Sequence, residues 1–324
     1  MRHALITGVT GQDGAYLSKL LLESGYKVYG LDRRTSTPTT ERLHYLEVAD
    51  RVVLLDGDVT DQGSIVRALE AAEPDEVYNL AAQSFVGSSW RQPALTTEVN
   101  GIGTINVLEA IRFVNPKIRF YQASTSEMFG LTAEPVQSET SPFHPRSPYA
   151  IAKLFAHWTT INYRESYGMF ACAGILFNHE SPVRGIEFVS RKITDGVARV
   201  KHGLATVLRM GNLKAKRDWG FSGDYVRAMR LMLQADDARE YVVATGRAVT
   251  VEEFCRSAFA YAGLDWREYV RVDPQIARPA DVPALCGNAA KVKAELGWQP
   301  TTTLEDLIAM MVEADLKRVR DECS

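Results

Sequence analysis

Apolar positions in the first half of the chain follow two rhythms. Short runs rich in β-branched and apolar residues, His3–Thr7, Lys27–Asp32, Val52–Asp56, Glu76–Leu80 and Arg119–Ala123, alternate with stretches of helical periodicity, Gln12–Ser24, Gln62–Ala72 and Thr104–Arg112. The runs Val52-Val53-Leu54-Leu55 and Val77-Tyr78-Asn79-Leu80 are close to continuously apolar, which is the pattern of strands buried on both faces. Strand and helix in regular alternation predict a doubly wound α/β lobe of Rossmann type, a parallel sheet covered by helices on both sides, over residues 1–176.

Beyond Leu176 the alternation loosens, with loop signals at Ser181-Pro182, Pro274 and Arg278-Pro279. The remainder, 177–324, is expected to form a smaller substrate-binding lobe, interleaved with the first because segments such as 212–245 return to the sheet; Tyr241–Ala244 reads as one more strand. Leu304, Leu307, Ile308, Met311, Val312 and Leu316 repeat at helical spacing and predict a closing helix from about Leu304 to Val319, with Thr302 and Glu305 as a capping box.

Composition narrows the class. The 324 residues are 46% hydrophobic and 24% charged, the balance of an ordinary globular protein. No run approaches the roughly 18 apolar residues of a membrane helix, and the N-terminus enters a strand-like segment without the pattern of an export signal. Cys172, Cys255, Cys286 and Cys323 are far apart, so neither a metal site nor a disulfide framework is expected, and a cytoplasmic location fits reduced thiols. A net charge of −3 gives no overall field for nucleic acid or membrane, and neither is expected as a partner. Residues 183 to 217 nevertheless carry nine Lys or Arg against two acids. Such a segment is either a solvated helix face or a cradle for an anionic substrate.

The turn Gly8-Val9-Thr10-Gly11-Gln12-Asp13-Gly14 lies between the first strand and the first helix. Glycines there let backbone N–H groups approach a pyrophosphate at the positive end of a helix, so Gly8, Thr10, Gly11, Gln12, Asp13 and Gly14 are candidate dinucleotide contacts. The second strand ends at Asp32-Arg33-Arg34, where the adenosine ribose is expected; an acid favours NAD and arginines favour NADP. Arg33 and Arg34 together, followed by Thr35 and Ser36, favour NADP, with NAD the lesser expectation. Asp58 and Val59 after the third strand, and Leu80 and Ala82 after the fourth, suit the adenine and the middle of the cofactor.

Tyr149 and Lys153 share a helical face, and Thr125 and Glu127 follow the fifth strand at the edge where α/β enzymes place chemistry. A phenol with an ordinary pKa of about 10 needs a nearby cation to act as a base at neutral pH, and Lys153 is placed for that. Thr125 can hydrogen-bond the reacting oxygen. Glu127 adds a group able to deprotonate carbon and protonate a leaving hydroxyl.

The combination of Gly-x-x-Gly-x-x-Gly, a hydroxyl residue after the fifth strand and Tyr-x-x-x-Lys resembles the extended short-chain dehydrogenase/reductases. More specific segments, Asn79 to Ser84, Thr125-Ser126-Glu127, Asn178-His179-Glu180-Ser181-Pro182, Lys216-Arg217-Asp218-Trp219-Gly220 and Arg278-Pro279, resemble the GDP-mannose 4,6-dehydratase family along nearly the whole chain. Two positions depart from it: Asp32 precedes the arginine pair, and Asp281 stands where the family usually has Glu. The resemblance implies GDP-mannose as substrate and a tightly bound, recycled NADP, with Thr125, Glu127, Tyr149 and Lys153 catalytic. It also implies that Lys192, Arg217 and Arg278 meet the diphosphate, that Ser84, Asn178 and Asp281 contact the substrate, and that the chain forms a homodimer or homotetramer. A nucleotide-sugar reductase, a 4-epimerase and a non-catalytic NADP-sensing protein stay open as alternatives at this point.

Overall fold

The computed structural model describes residues 1–37, 39–276, 280 and 282–323. The candidate residues Arg278 and Asp281 lie outside them.

Among the described residues, twelve strands follow in chain order: β1 (His3–Thr7), β2 (Lys27–Asp32), β3 (Val52–Asp56), β4 (Glu76–Asn79), β5 (Arg119–Thr125), β6 (Ala171–Leu176), β7 (Asn178–Glu180), β8 (Leu208–Met210), β9 (Lys216–Phe221), β10 (Glu240–Val243), β11 (Ala248–Thr250) and β12 (Val270–Val272). Seven form one parallel sheet of order β10-β6-β5-β4-β1-β2-β3, the architecture of a Rossmann-type fold. The chain runs outward from β1 through β2 to β3, then crosses to β4 on the other side of β1. The β1/β4 boundary is therefore the switch point where ligands of such sheets bind.

Thr7 ties that boundary together: its hydroxyl donates to Asn79 Oδ1 at 2.7 Å and accepts from the N–H groups of Leu80 and Ala81 at 3.1 Å. Gly8 follows with φ of +69°, and a Cβ there would sit 2.8 Å from Ala81 N. Only glycine lets the two loops approach so closely.

Two apolar layers cover the sheet. On one face Leu17, Leu21, Tyr121, Cys172, Tyr225 and Met229 pack together, joining the helices Gln12–Glu23 and Ser222–Gln234. On the other, Leu5, Ile65, Leu69, Val77, Val107, Ile111 and Phe120 join the helices Gln62–Ala72 and Gly103–Val114. A separate core of Ile193, Val197, Trp219, Phe254, Phe259, Ile308 and Val312 holds the later elements, including the small sheet β11-β9-β7 and the closing helix Leu304–Glu322.

Two local expectations need correction. β3 is the edge strand, and Val53 and Leu54 are about 40% exposed, so its apolar run does not mean burial on both faces. The closing helix is capped one residue later than expected: Thr303, not Thr302, accepts from Asp306 N at 3.1 Å.

Candidate active site

A cavity of about 930 Å³ opens at the carboxyl ends of β1, β4, β5 and β6. Its floor begins with β5, which delivers Thr125 and then turns sharply so that Glu127 N donates to Thr125 Oγ1 at 3.3 Å. Opposite runs the helix Pro148–Tyr167, started by Ser147, whose hydroxyl accepts from Ala150 N at 3.1 Å, and by Pro148 in the first turn. That start fixes Tyr149 and Lys153 one turn apart on the cavity side, and both are buried.

Thr125, Glu127, Tyr149 and Lys153 thus line one cavity. Burial pushes the Tyr149 phenol up to about 12; the Thr125 hydroxyl and Arg184 oppose the rise, and Glu127 adds to it. Burial also brings the Lys153 ammonium down to about 8, with Asp13 working the other way. Lys153 Nζ donates to the Ala123 carbonyl at 2.9 Å. In the free chain, then, burial dominates and the phenol is neutral. At neutral pH the buried Lys153 ammonium therefore stands charged one helical turn from a neutral phenol.

The first helix begins at Gly11, which has extended backbone and no side-chain cap, so its leading N–H groups face the turn. A Cβ on Gly14 would fall 2.4 Å from Gly8 O. The turn thus packs on itself so closely that only glycine fits there, which leaves its backbone at the helix start as in a dinucleotide pyrophosphate site. Asp13, Leu80 and Ala82 reach the cavity itself. Gly8, Thr10, Gly11, Gln12 and Gly14 form the turn beside it. Arg33 and Arg34 are exposed just past β2, and Asp32, half-buried, carries a carboxyl raised by burial and receives Thr10 Oγ1 at 3.4 Å. Past the end of β3, Asp58 accepts from Thr60 N at 2.9 Å, and Val59 is buried where a Cβ on Gly103 would touch it.

On the far side, Ser84, Asn178, Lys192 and Arg217 all line the cavity. Asn178 Oδ1 is buried and has no hydrogen-bond partner among the described residues. Burial lowers the Lys192 ammonium, and Asp273 opposes that. Arg217 Nη1 donates to Val282 O at 2.8 Å, which fixes its guanidinium at the wall.

The basic segment divides by contact. Arg184, Lys192 and Arg217 line the cavity, whereas Arg191 forms a buried pair with Asp315 at 2.8 Å and Arg199 pairs with Asp195 at 2.9 Å. The cradle is therefore a few residues, not the whole segment. Asp218, beside Arg217, is structural: it is fully buried and accepts from the N–H groups of Thr245 and Gly246 at 2.9 Å.

Sequence reasoning missed His179, Arg184, Trp90 and Phe188, which also line the cavity. His179 stood inside a quoted motif and Arg184 inside the counted basic segment; neither had a neighbour in sequence to reveal its role. Arg184 lies 3.5 Å over the Phe188 ring and pairs with Glu180 at 2.9 Å.

Comparison with known proteins places this geometry. Residues 5–311 match the family described as GDP-mannose 4,6 dehydratase. GDP-mannose 4,6 dehydratase 1 of Arabidopsis thaliana is 52% identical, over 98% of this chain and 91% of that protein. Among solved structures, a dTDP-glucose 4,6-dehydratase of Streptomyces venezuelae with NAD bound superposes with a TM-score of 0.88 at 25% identity, over 99% of this chain and 98% of that one. RMD of Pseudomonas aeruginosa, in complex with NADPH, gives 0.81 at 25% identity, over 98% and 99%. Sheet, cavity and sequence agree: the chain belongs to the GDP-mannose 4,6-dehydratase family of extended short-chain dehydrogenase/reductases.

Proposed function

We propose that this protein dehydrates GDP-mannose to GDP-4-keto-6-deoxymannose, a hydro-lyase reaction with an internal redox cycle. The observation that carries the reading is the meeting of Glu127 with Thr125, Tyr149 and Lys153 in one cavity, in a chain of this family. A nicotinamide cofactor, which the Gly8–Gly14 turn would hold, would supply the hydride acceptor for oxidation at sugar carbon 4 and the donor for carbon 6, so no net reductant would be consumed.

The chain's own groups manage the protons. Tyr149 accepts the proton of the carbon-4 hydroxyl while Thr125 hydrogen-bonds that oxygen, and the Lys153 charge stabilises the phenolate. With a ketone at carbon 4, the carbon-5 proton becomes acidic; Glu127 removes it and delivers a proton to the leaving carbon-6 hydroxyl, which departs as water. Glu127, now a carboxylate, takes a new proton from solvent and delivers it to carbon 5, while the proton deposited on Tyr149 returns to solvent, so the count closes on one water released. Arg184, Lys192 and Arg217 supply the positive wall for the substrate diphosphate, with Arg278 as a further candidate, and Arg suits it through bidentate contact. Asn178, Ser84 and Asp281 are assigned to sugar and base. Arg33 and Arg34 favour NADP over NAD.

The protein is also assigned a homo-oligomeric state, dimer or tetramer. Ile151, Phe155 and Trp158 are exposed along the helix Pro148–Tyr167, beside exposed Ile102 on the neighbouring helical segment. An apolar stripe of this kind on two adjacent helices suits a self-complementary contact.

The test is product mass after incubation with GDP-mannose and no added reductant. Loss of one water supports the reading, while an unchanged mass points to epimerisation or inactivity. Glu127→Gln should bind the nucleotide sugar, lose dehydration by roughly 100-fold or more, and lose exchange of the carbon-5 proton with solvent. Dehydration at the native rate in that variant would remove Glu127 from the mechanism.

A further inference from the structure

A phosphate-binding turn normally offers backbone N–H groups and the positive end of a helix. Here the first turn of that helix also carries a carboxylate, Asp13, which lines the cavity. A dinucleotide brings two negative phosphates to the same turn, so an uncompensated Asp13 would oppose the ligand the turn is shaped to hold.

The compensation comes from 166 residues away. His179 Nε2 lies 2.7 Å from Asp13 Oδ2, and its Nδ1 lies 2.7 Å from the Phe177 carbonyl oxygen. Ser222 Oγ donates to Asp13 Oδ1 at 2.7 Å and Gln12 Nε2 donates to the same oxygen at 3.1 Å, so Asp13 accepts on both oxygens and is a carboxylate. Each ring nitrogen of His179 therefore faces an acceptor. A neutral imidazole has one N–H and would leave one of these contacts without a proton, whereas an imidazolium satisfies both.

The surroundings agree. Asp13 is held well below the usual carboxylate range by His179 and Ser222 against the cost of burial, and the same carboxylate keeps His179 above its ordinary value. The other charged or titratable groups facing the pair are Arg184, which disfavours a second cation, and Lys153, Tyr149, Tyr121 and Tyr225, all of which feel Asp13. The Tyr225 ring stacks on the imidazole with centroids 4.7 Å apart. Two further bonds, Gln12 Nε2 to His179 O at 3.0 Å and Ser181 Oγ to Gln12 Oε1 at 2.8 Å, fix the strand β7 against the turn.

We propose that His179 is a positioning residue held as an imidazolium, and that its charge cancels Asp13 so that the turn accepts the diphosphate of a nicotinamide dinucleotide. The inference rests on the reading of this turn as a dinucleotide site and adds the group that makes it electrostatically competent. His179 need not touch the cofactor for this; it acts through Asp13.

The experiment is a double-mutant cycle read by calorimetric binding of NADPH to the nucleotide-free full chain. His179→Gln keeps a hydrogen-bonding side chain but removes the charge. It should weaken NADPH binding by about 10-fold or more when Asp13 is present, and by less than about 3-fold when combined with Asp13→Asn, a coupling that packing by His179 alone does not produce. Equal losses in both backgrounds would overturn the proposal and leave His179 as packing. If His179→Gln does not fold, nitrogen NMR of the parent chain decides: both ring nitrogens of His179 carry protons at pH 7.5, and a neutral ring sinks the idea. A parent chain that binds neither NADPH nor NADH refutes the dinucleotide site itself, a result separate from either outcome for His179.

Discussion

At Lys153 the chemistry and the stability of the chain pull in opposite directions. Its ammonium is buried with its folded pKa near 8 against an ordinary 10.5, so unfolding takes up a proton between those values. The cost of keeping it charged is full below about pH 8 and fades toward pH 10.5; at about 1.4 kcal/mol per unit it is on the order of 3 kcal/mol at pH 7. Lys153→Met should therefore stabilise the free chain by about 1–2 kcal/mol at pH 7, after the loss of the bond to the Ala123 carbonyl is counted, and by much less at pH 10. It should also cut dehydration by 100-fold or more, on the order expected for loss of a charge that acts in the transition state. Urea unfolding at the two pH values checks this, and a less stable variant at pH 7 would contradict it. The four candidate catalytic residues were readable because their relations are local, a helical turn between Tyr149 and Lys153 and two positions between Thr125 and Glu127. His179 was not, since what it does depends on Asp13 as placed by the fold; Arg184 was not either, because its partners Glu180 and Phe188, four residues away, lie outside any helical pattern that would mark them.

Elements carry a second titration. Along the helix Pro148–Tyr167, one turn past Lys153, His157 is buried against Phe143 and Trp158, with Nδ1 2.9 Å from Ser124 Oγ. Burial lowers its pKa to about 4. The unfolded chain, with an ordinary value of 6.5, binds the proton first. The stability from a neutral His157 is thus complete above pH 6.5 and is lost as pH falls through about 4, a change of roughly 3 kcal/mol. His157→Gln should flatten the loss of stability between pH 6.5 and 4 in denaturant titrations; an unchanged slope would mean that other groups carry it. The same scale shows what periodicity can and cannot give. Strand and helix positions in the first half were readable to within a residue or two. Which strand lies at the edge was not, because Val52–Leu55 has the same local pattern whether or not a neighbour covers it. The cap at Thr303 was displaced by one position because Thr302 and Thr303 are chemically equal until the chain direction selects one.

For the whole molecule, the exposed stripe on the helix Pro148–Tyr167 gives a direct measurement. Ile151 and Trp158 are 57% and 55% exposed, whereas Ile161 on the same helix is 7% exposed. Placing charges there, as Ile151→Asp with Trp158→Asp, should shift sedimentation from oligomer to monomer while far-ultraviolet dichroism stays the same, because isolated surface changes cost little in the folded protomer. An unchanged mass would move the contact elsewhere. The parallel architecture was legible from alternation alone, but the division of labour in residues 183–217 was not: only the fold separates Arg191 and Arg199, held by Asp315 and Asp195 away from the cavity, from Arg184, Lys192 and Arg217, which line it. The late arrival of β10 and of the helix Ser222–Gln234 has a consequence for the order in which the protein can be made. Tyr121 and Cys172, on strands completed by residue 176, are covered by side chains from residues 225–233, and β6 acquires its outer neighbour only at residues 240–243. A ribosome that has released the first 176 residues has thus released a sheet with one face only partly covered, by the helix Gln12–Glu23, and one bare edge. Completion of the nucleotide site, including Ser222 against Asp13, must wait for about a seventh of the chain more, an interval in which a chaperone has an apolar surface to hold.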